Sequence, residues 1–241
     1  MAYYGFDSLS YPGDAKMQEL RTKTPIKFCG YYLPGAPNRV NSPWSGKRSF
    51  LSGLNFGMLP VFVGQQQDTV SQGGSPFAHN LTDAQARIDA DQALSLMSAA
   101  SPTNTNGQGF PAQTYVYLDI ETPVQSGPTA ALYSYAAVWC ARVNNSGRYR
   151  AGVYISYRLA PDLRTQLQSL GTTAQFWVTG TANGPGCAVV NPNSAPDPTT
   201  NYSYASVWQY AIDCTSVTGL GATLSGADMD SATTADPAQS L

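Results

Sequence analysis

Strand-like and helix-like runs take turns along almost the whole chain, and few architectures tolerate such an order. Strand character, read from hydrophobic period, falls on Tyr3–Ser8, Lys27–Leu33, Met58–Gln66, Thr114–Glu121, Arg150–Ser156, Ala174–Thr181, Ser206–Ile212 and Gly226–Ser231. Helix character falls between them, on Asp14–Lys23, Ser49–Phe56, Thr82–Ala100, Pro128–Asn144 and Ala160–Leu170. Thr82 to Gln85 has the form of a capping box, with Ala84, Ile88 and Leu94–Met97 following at roughly helical spacing. Alternating βα units imply a parallel sheet, either closed as a barrel or open and doubly wound. Eight strands is the barrel number, so the expected α/β fold is a single (β/α)8 TIM-type barrel over residues 1–231, irregular in its last two units. Residues 232–241 form a short polar tail expected to fray.

The long connections Pro34–Arg48, Gln67–Asn80 and Ala182–Ala205 are rich in Gly, Pro, Asn and Ser and follow strand C-terminal ends, where barrels build their sites. No G-x-G-x-x-G follows the first strand, which removes support for dinucleotide or phosphate cradling. Four cysteines without a C-x-x-C, and a single histidine, argue against a metal centre, and no cofactor is implied. Cys29 and Cys140 read as buried thiols, His79 as a surface residue, and Cys187 and Cys214 as a pair that could close in an oxidising compartment.

Only 12% of the 241 residues are charged and 42% are hydrophobic, which excludes disorder as the main state. Lys plus Arg (13) nearly balance Asp plus Glu (15), with no basic run, so the footprint of a nucleic-acid binder is missing. No apolar run approaches the length of a membrane span, and no basic stretch followed by an apolar one opens the chain as a signal peptide would. The sequons at Asn80, Asn144 and Asn201 would matter only after eukaryotic secretion. Thirteen of the acids are Asp and two are Glu, Glu19 and Glu121, so each Glu stands out.

The most informative run is Thr114-Tyr-Val-Tyr-Leu-Asp-Ile-Glu121. Strand alternation sends Val116, Leu118 and Ile120 to one face and Tyr115, Tyr117, Asp119 and Glu121 to the other. In a barrel the second set lines the interior and ends in two carboxylates at the C-terminal mouth. Residues i and i+2 stand about 6 to 7 Å apart on one face, close enough for two carboxyl groups to take different protonation states. The bland alternative is an acidic pair at a solvated strand end. Asp7 ends the first strand, and Asp228 and Asp230 share a face of the last. If the sheet closes, the first and last strands are neighbours and Asp7 meets Asp228.

Gly5-Phe-Asp-Ser8, Gly30-Tyr-Tyr32, Tyr117-Leu-Asp-Ile-Glu121, Gly152-Val-Tyr-Ile-Ser156, Trp208-Gln-Tyr210 and Ala227-Asp-Met-Asp230 together resemble, in order, the family 25 glycoside hydrolases. The likeness is closer still to the related bacterial glycoside-hydrolase-like barrels of uncharacterised function. The resemblance implies a lysozyme-like N-acetylmuramidase acting on peptidoglycan. Carried over, Glu121 would be the general acid, and Asp119 would orient or stabilise the substrate's 2-acetamido group as it closes on the anomeric carbon. Asp7 and Asp228 would tune that pair, with Asp228 preferred over Asp230 for the family position. Tyr32, Gln65, Tyr154, Trp177 and Gln209 are candidates for sugar contact, through ring stacking and amide hydrogen bonds, or alternatively for core packing. The strand-two, strand-three and strand-six loops depart from the lysozymes. They keep two rivals open: a catalytically silent barrel that anchors an assembly, such as a secretion apparatus or particle, by binding glycan, and a purely structural docking barrel.

Overall fold

The computed structural model describes residues 1–69, 76–121, 127–183, 195–214, 221, 222 and 224–239. Two short strands, β4 (Ala99–Ser101) and β5 (Asn104–Gln108), stand apart from the main sheet. Each predicted strand forms: β1 (Tyr3–Asp7), β2 (Ile26–Tyr32), β3 (Gly57–Val63), β6 (Tyr115–Asp119), β7 (Arg150–Ser156), β8 (Gln175–Asn183), β9 (Ala205–Cys214) and β10 (Ala227–Ala232). They close into a barrel in the order β1-β10-β9-β8-β7-β6-β3-β2. The predicted helices appear as α1 (Asp14–Lys23), α2 (Arg48–Gly53), α3 (Asp83–Met97), α4 (Ala130–Asn145) and α5 (Ala160–Ser169), joined by a short α6 (Pro198–Asn201). None of the described helices is long and apolar enough to cross a membrane.

Three expectations need correction. The barrel is mixed: β10 runs antiparallel to both β9 and β1, while the other neighbouring strands are parallel. A parallel return needs a long crossover, usually a helix, and the Gly- and Thr-rich run between Cys214 and Ala227 is a poor helix former. Gly226 N–H donates to the Cys214 carbonyl at 2.7 Å, closing the antiparallel pair. Second, the end of the expected third helix is instead the start of the small antiparallel β4–β5 pair. Third, the tail docks under the barrel rather than fraying: Ala238 is buried, its carbonyl accepts from Tyr115 N–H at 2.8 Å, and Gln239 Nε2 donates to Thr114 Oγ1 at 2.8 Å. Cys187 lies outside the described residues; Cys29 and Cys140 are buried and burial pushes both thiols up. His79 is exposed.

Alternation along each strand divides two cores. Outward residues such as Phe6, Cys29, Phe62, Leu118, Val153 and Val178 are buried beneath the helices, against stripes that include Ala86, Ala90 and Ala93 of α3 and Tyr135, Trp139 and Cys140 of α4. Thr82 caps α3 by accepting from Gln85 N–H at 3.2 Å. The reciprocal half of a capping box is absent, because the Gln85 side chain binds Asp89 and Asn80 instead. The inner core alternates large and small: Tyr117 lies edge-on to Trp177 (centroids 5.8 Å apart, 88°), and Gly152 faces the Tyr117 ring. A Cβ on Gly152 would sit 2.5 Å from Tyr117 Cδ1, with both neighbours locked in the barrel. Gly152→Ala is therefore expected to cost about 1–3 kcal/mol through overpacking, read as a Tm lower by about 2–4 °C per kcal/mol in thermal denaturation. An unchanged Tm would mean that the interior has slack.

Candidate active site

The C-terminal ends of the parallel strands and the start of β10 bring four aspartates and Glu121 to one mouth. Antiparallel pairing sets Asp7 opposite Asp228 and Gly5 opposite Asp230. In a parallel last strand Asp230 would stand nearer the opening. Because β10 is reversed, Asp228 is at the rim and Asp230 a rung below, fully buried.

An amide joins the two strands. Gln209 Nε2 donates to Asp7 Oδ2 at 2.9 Å and to Asp228 Oδ2 at 3.1 Å, while its Oε1 accepts from the Tyr154 hydroxyl at 2.9 Å and the Thr179 hydroxyl at 2.8 Å. Tyr32 donates its hydroxyl to Asp7 Oδ1 at 2.7 Å, and Asp213 N–H donates to Asp228 Oδ1 at 2.7 Å. Gly30 is required beneath this cluster, since a Cβ there would lie 2.7 Å from the Asp7 Cβ. Asp230 Oδ1 accepts from Trp177 Nε1 at 2.9 Å, whereas its Oδ2 and Asp119 Oδ1 meet no donor among the described residues.

None of the ion pairs among the described residues includes these carboxylates. Burial therefore dominates their titration, because removing water penalises the charged form. Burial, then Glu121, then Asp7 hold Asp119 well above the usual carboxylate range. Burial and the Asp7 and Asp228 charges do the same to Asp230. Asp7 is also raised by burial, against the lowering pull of its Tyr32 and Gln209 hydrogen bonds. Asp228 is pushed up to about 7, by burial first and Asp7 second. Glu121 is exposed at the lip, and partial desolvation together with Asp68 raises it as well. Burial thus favours the protonated form of these carboxyl groups at mildly acidic pH.

Of the residues expected to contact sugar, Tyr32 and Tyr154 stand at the mouth, tied to Asp7 and Gln209. Three others are buried. Trp177 is fully buried and packs nearly perpendicular to the Tyr117 and Tyr154 rings, so in this structure its own ring is closed to a pyranose. Gln209 is buried with both ends of its amide committed to the Asp7 cluster. Gln65 donates to Asp89 Oδ2 at 3.1 Å and accepts from Asn80 N–H at 3.0 Å. Sequence reasoning missed Gln66, whose amide binds the backbone on both sides of Ile120: Nε2 donates to the Asp119 carbonyl and Oε1 accepts from Glu121 N–H, each at 2.9 Å. The consecutive glutamines Gln65, Gln66 and Gln67 at a strand end were the available signal. A cavity of about 480 Å³ lies at the opposite end of the barrel, lined by Tyr115, Arg150, Gln175 and Tyr204 among others, remote from these carboxylates.

The closed eight-stranded barrel is a fold that solved structures share, a bacterial lysozyme among them. An uncharacterized B. stearothermophilus protein superposes with a TM-score of 0.60 at 20% identity, over 95% of this chain and 94% of that one. The Clostridium perfringens spore cortex lytic enzyme SleM gives 0.60 at 14% identity, over 96% and 67%. The bacterial lysozyme from Streptomyces coelicolor gives 0.58 at 13% identity, over 96% and 92%. No protein-family model and no curated protein sequence matches the chain.

Proposed function

We propose that the barrel mouth is the active site of a glycosidase that cleaves peptidoglycan or a related N-acetylated glycan, with Glu121 as general acid. The observation that carries this reading is the ranking of environments at the end of β6: Glu121 at the lip with a raised pKa, and Asp119 buried beneath it with an oxygen that meets no donor among the described residues. In the first step the 2-acetamido carbonyl oxygen bonds to the anomeric carbon, the glycosidic C–O bond breaks, and the Glu121 proton goes to the leaving oxygen. Water then opens the cyclic intermediate while Glu121 takes back a proton.

Asp119 contributes through its burial. Its charged form is unfavourable in the resting fold, and in so dry a site the carboxyl dipole interacts strongly with the positive charge that develops on the closing acetamido ring. Its electrostatic help therefore grows toward the transition state, which is what accelerates a reaction. Asp7, Asp228 and Gln209 hold this field in place as a hydrogen-bonded unit.

Purified protein incubated with insoluble peptidoglycan is expected to release soluble fragments carrying new reducing ends. Retention on the walls without fragments would replace the hydrolase with the silent glycan-binding barrel. Neither retention nor fragments would leave the docking barrel.

A further inference from the structure

The barrel ladder stops one rung short of the proposed acid. Val63 and Asp119 are the last in-register pair between β3 and β6, and beyond them the β3 chain turns away. On the other side Ile120 N–H still reaches the Tyr154 carbonyl of β7 at 3.0 Å. Glu121, at this strand end, would then be held from one side alone.

Three side-chain amides supply the missing side. Gln66, buried, binds the Asp119 carbonyl and the Glu121 N–H, the i and i+2 pattern that a neighbouring strand's backbone would use. Gln67 repeats it ahead of α4, donating to the Gly127 carbonyl at 2.9 Å and accepting from Thr129 N–H at 2.8 Å, at the helix N-cap. Gln65 anchors the run in the opposite direction. Its side chain takes Asp89 and Asn80, and its backbone N–H donates to the Tyr135 hydroxyl at 3.1 Å, which itself donates to Asp89 Oδ2 at 2.6 Å. Asp89 is buried and also accepts from Gln85 at 2.8 Å, so the anchor lies between α3 and α4.

We propose that Gln65, Gln66 and Gln67 are positioning residues: a side-chain ladder that extends the barrel by one rung and fixes the height of Glu121 relative to Asp119. The proposal rests on the reading of these two carboxyls as the reacting pair. Glutamine suits the task because one primary amide carries a donor and an acceptor, as a peptide group does, without a charge that would disturb the acids beside it. Only Gln66 touches the segment bearing the pair, so its removal should matter most.

The sequence offers a clean probe, since Glu19 and Glu121 are its only glutamates and a glutamate-selective ¹³C label gives two carboxyl signals. In Gln66→Met, which keeps volume and loses both hydrogen bonds, the Glu121 midpoint is expected to fall toward the ordinary glutamate value as the side chain swings into water. Glu19, in its Lys16 and Lys23 pairs, should not move. Amide exchange at Glu121 should accelerate at least tenfold, and wall hydrolysis should lose about tenfold to a hundredfold in kcat with KM within twofold. Gln67→Met is expected to give a smaller shift of the same sign. A folded Gln66→Met protein with an unmoved Glu121 midpoint and wild-type amide protection would overturn the proposal even if it hydrolysed walls normally. Rapid exchange of the Glu121 amide in the wild type would overturn it without any variant. Wild-type protein that shows the protected amide and the shift but releases no wall fragments would sink the glycosidase reading and leave the ladder standing.

Discussion

Replacing Glu121 by Gln is expected to lower the rate of glycan cleavage by about 10²–10⁴, the usual worth of a positioned general acid, or about 3–5 kcal/mol of barrel-mouth transition-state stabilisation. The substitution keeps size and shape, and the residue's tie to the fold is its backbone N–H on Gln66, which a change of side chain leaves in place. Binding to insoluble walls should therefore survive while fragment release does not. The pH profile carries a second signature. Glu121 must be protonated to act, and burial with Asp68 raises its pKa, so wild-type activity should persist above the ordinary glutamate range and decline as pH rises further. Residual activity in Glu121→Gln should have lost that alkaline limb. Reducing-end assays from about pH 4 to 9 on both proteins would show it; equal rates at every pH would remove Glu121 from the reaction.

The parts of this site that were legible in the sequence are those written in period two. Alternation in Thr114–Glu121 placed Asp119 on the inner face, and strand count alone predicted that the first and last strands would meet, as Asp7 and Asp228 do. The direction of β10 was not legible, because an alternating strand reads the same in either direction. It is the reversal that decides which of Asp228 and Asp230 reaches the rim. The depth of the aromatic and amide candidates was not legible for a related reason. Period two distinguishes inside from outside in a barrel but says nothing of depth, so Trp177 and Gln209, inward-facing as expected, turned out to be buried in the filling instead of open to a ligand. The role of the glutamine run was not legible because its partners are backbone groups 53 to 62 residues away in sequence, and backbone atoms leave no residue-type signal. The small β4–β5 pair was not legible because its exposed or half-buried strands lack a buried face and so carry no alternation of apolar and polar residues.

The second large effect concerns stability. Lowering the pH from about 8 to 5 should make this protein harder to unfold, the reverse of ordinary acid denaturation. Asp7, Asp119, Asp228, Asp230 and, beneath the barrel, Asp236 all have pKa values raised in the fold, Asp228 to about 7 and Asp236 to about 6, in each case by burial first. A folded state that binds more protons than the unfolded chain gains stability as pH falls, and loses it as pH rises through the folded pKa values. The window therefore runs from the unfolded value near 4 up to about 7 for Asp228. Exposed Asp14 and Asp197 and half-buried Glu19 are shifted the other way by their hydrogen bonds and ion pairs, but surface pairs of this kind contribute little. Each unit of separation is worth up to about 1.4 kcal/mol; at the partly hydrated rim Asp228 should contribute about 1–2 kcal/mol after screening. Urea unfolding at pH 5 and pH 8 measures the difference directly. Asp228→Asn and Asp230→Asn, neutral at every pH, should stabilise the protein at pH 8 and flatten the dependence. In Asp230→Asn the new amide can still accept from Trp177 and gains a donor directed toward Asp7. Stability that instead rises from pH 5 to 8 would mean that the acids are ionised in the resting fold. The proposed reading of Asp119 as a neutral acid in the resting fold would then fall.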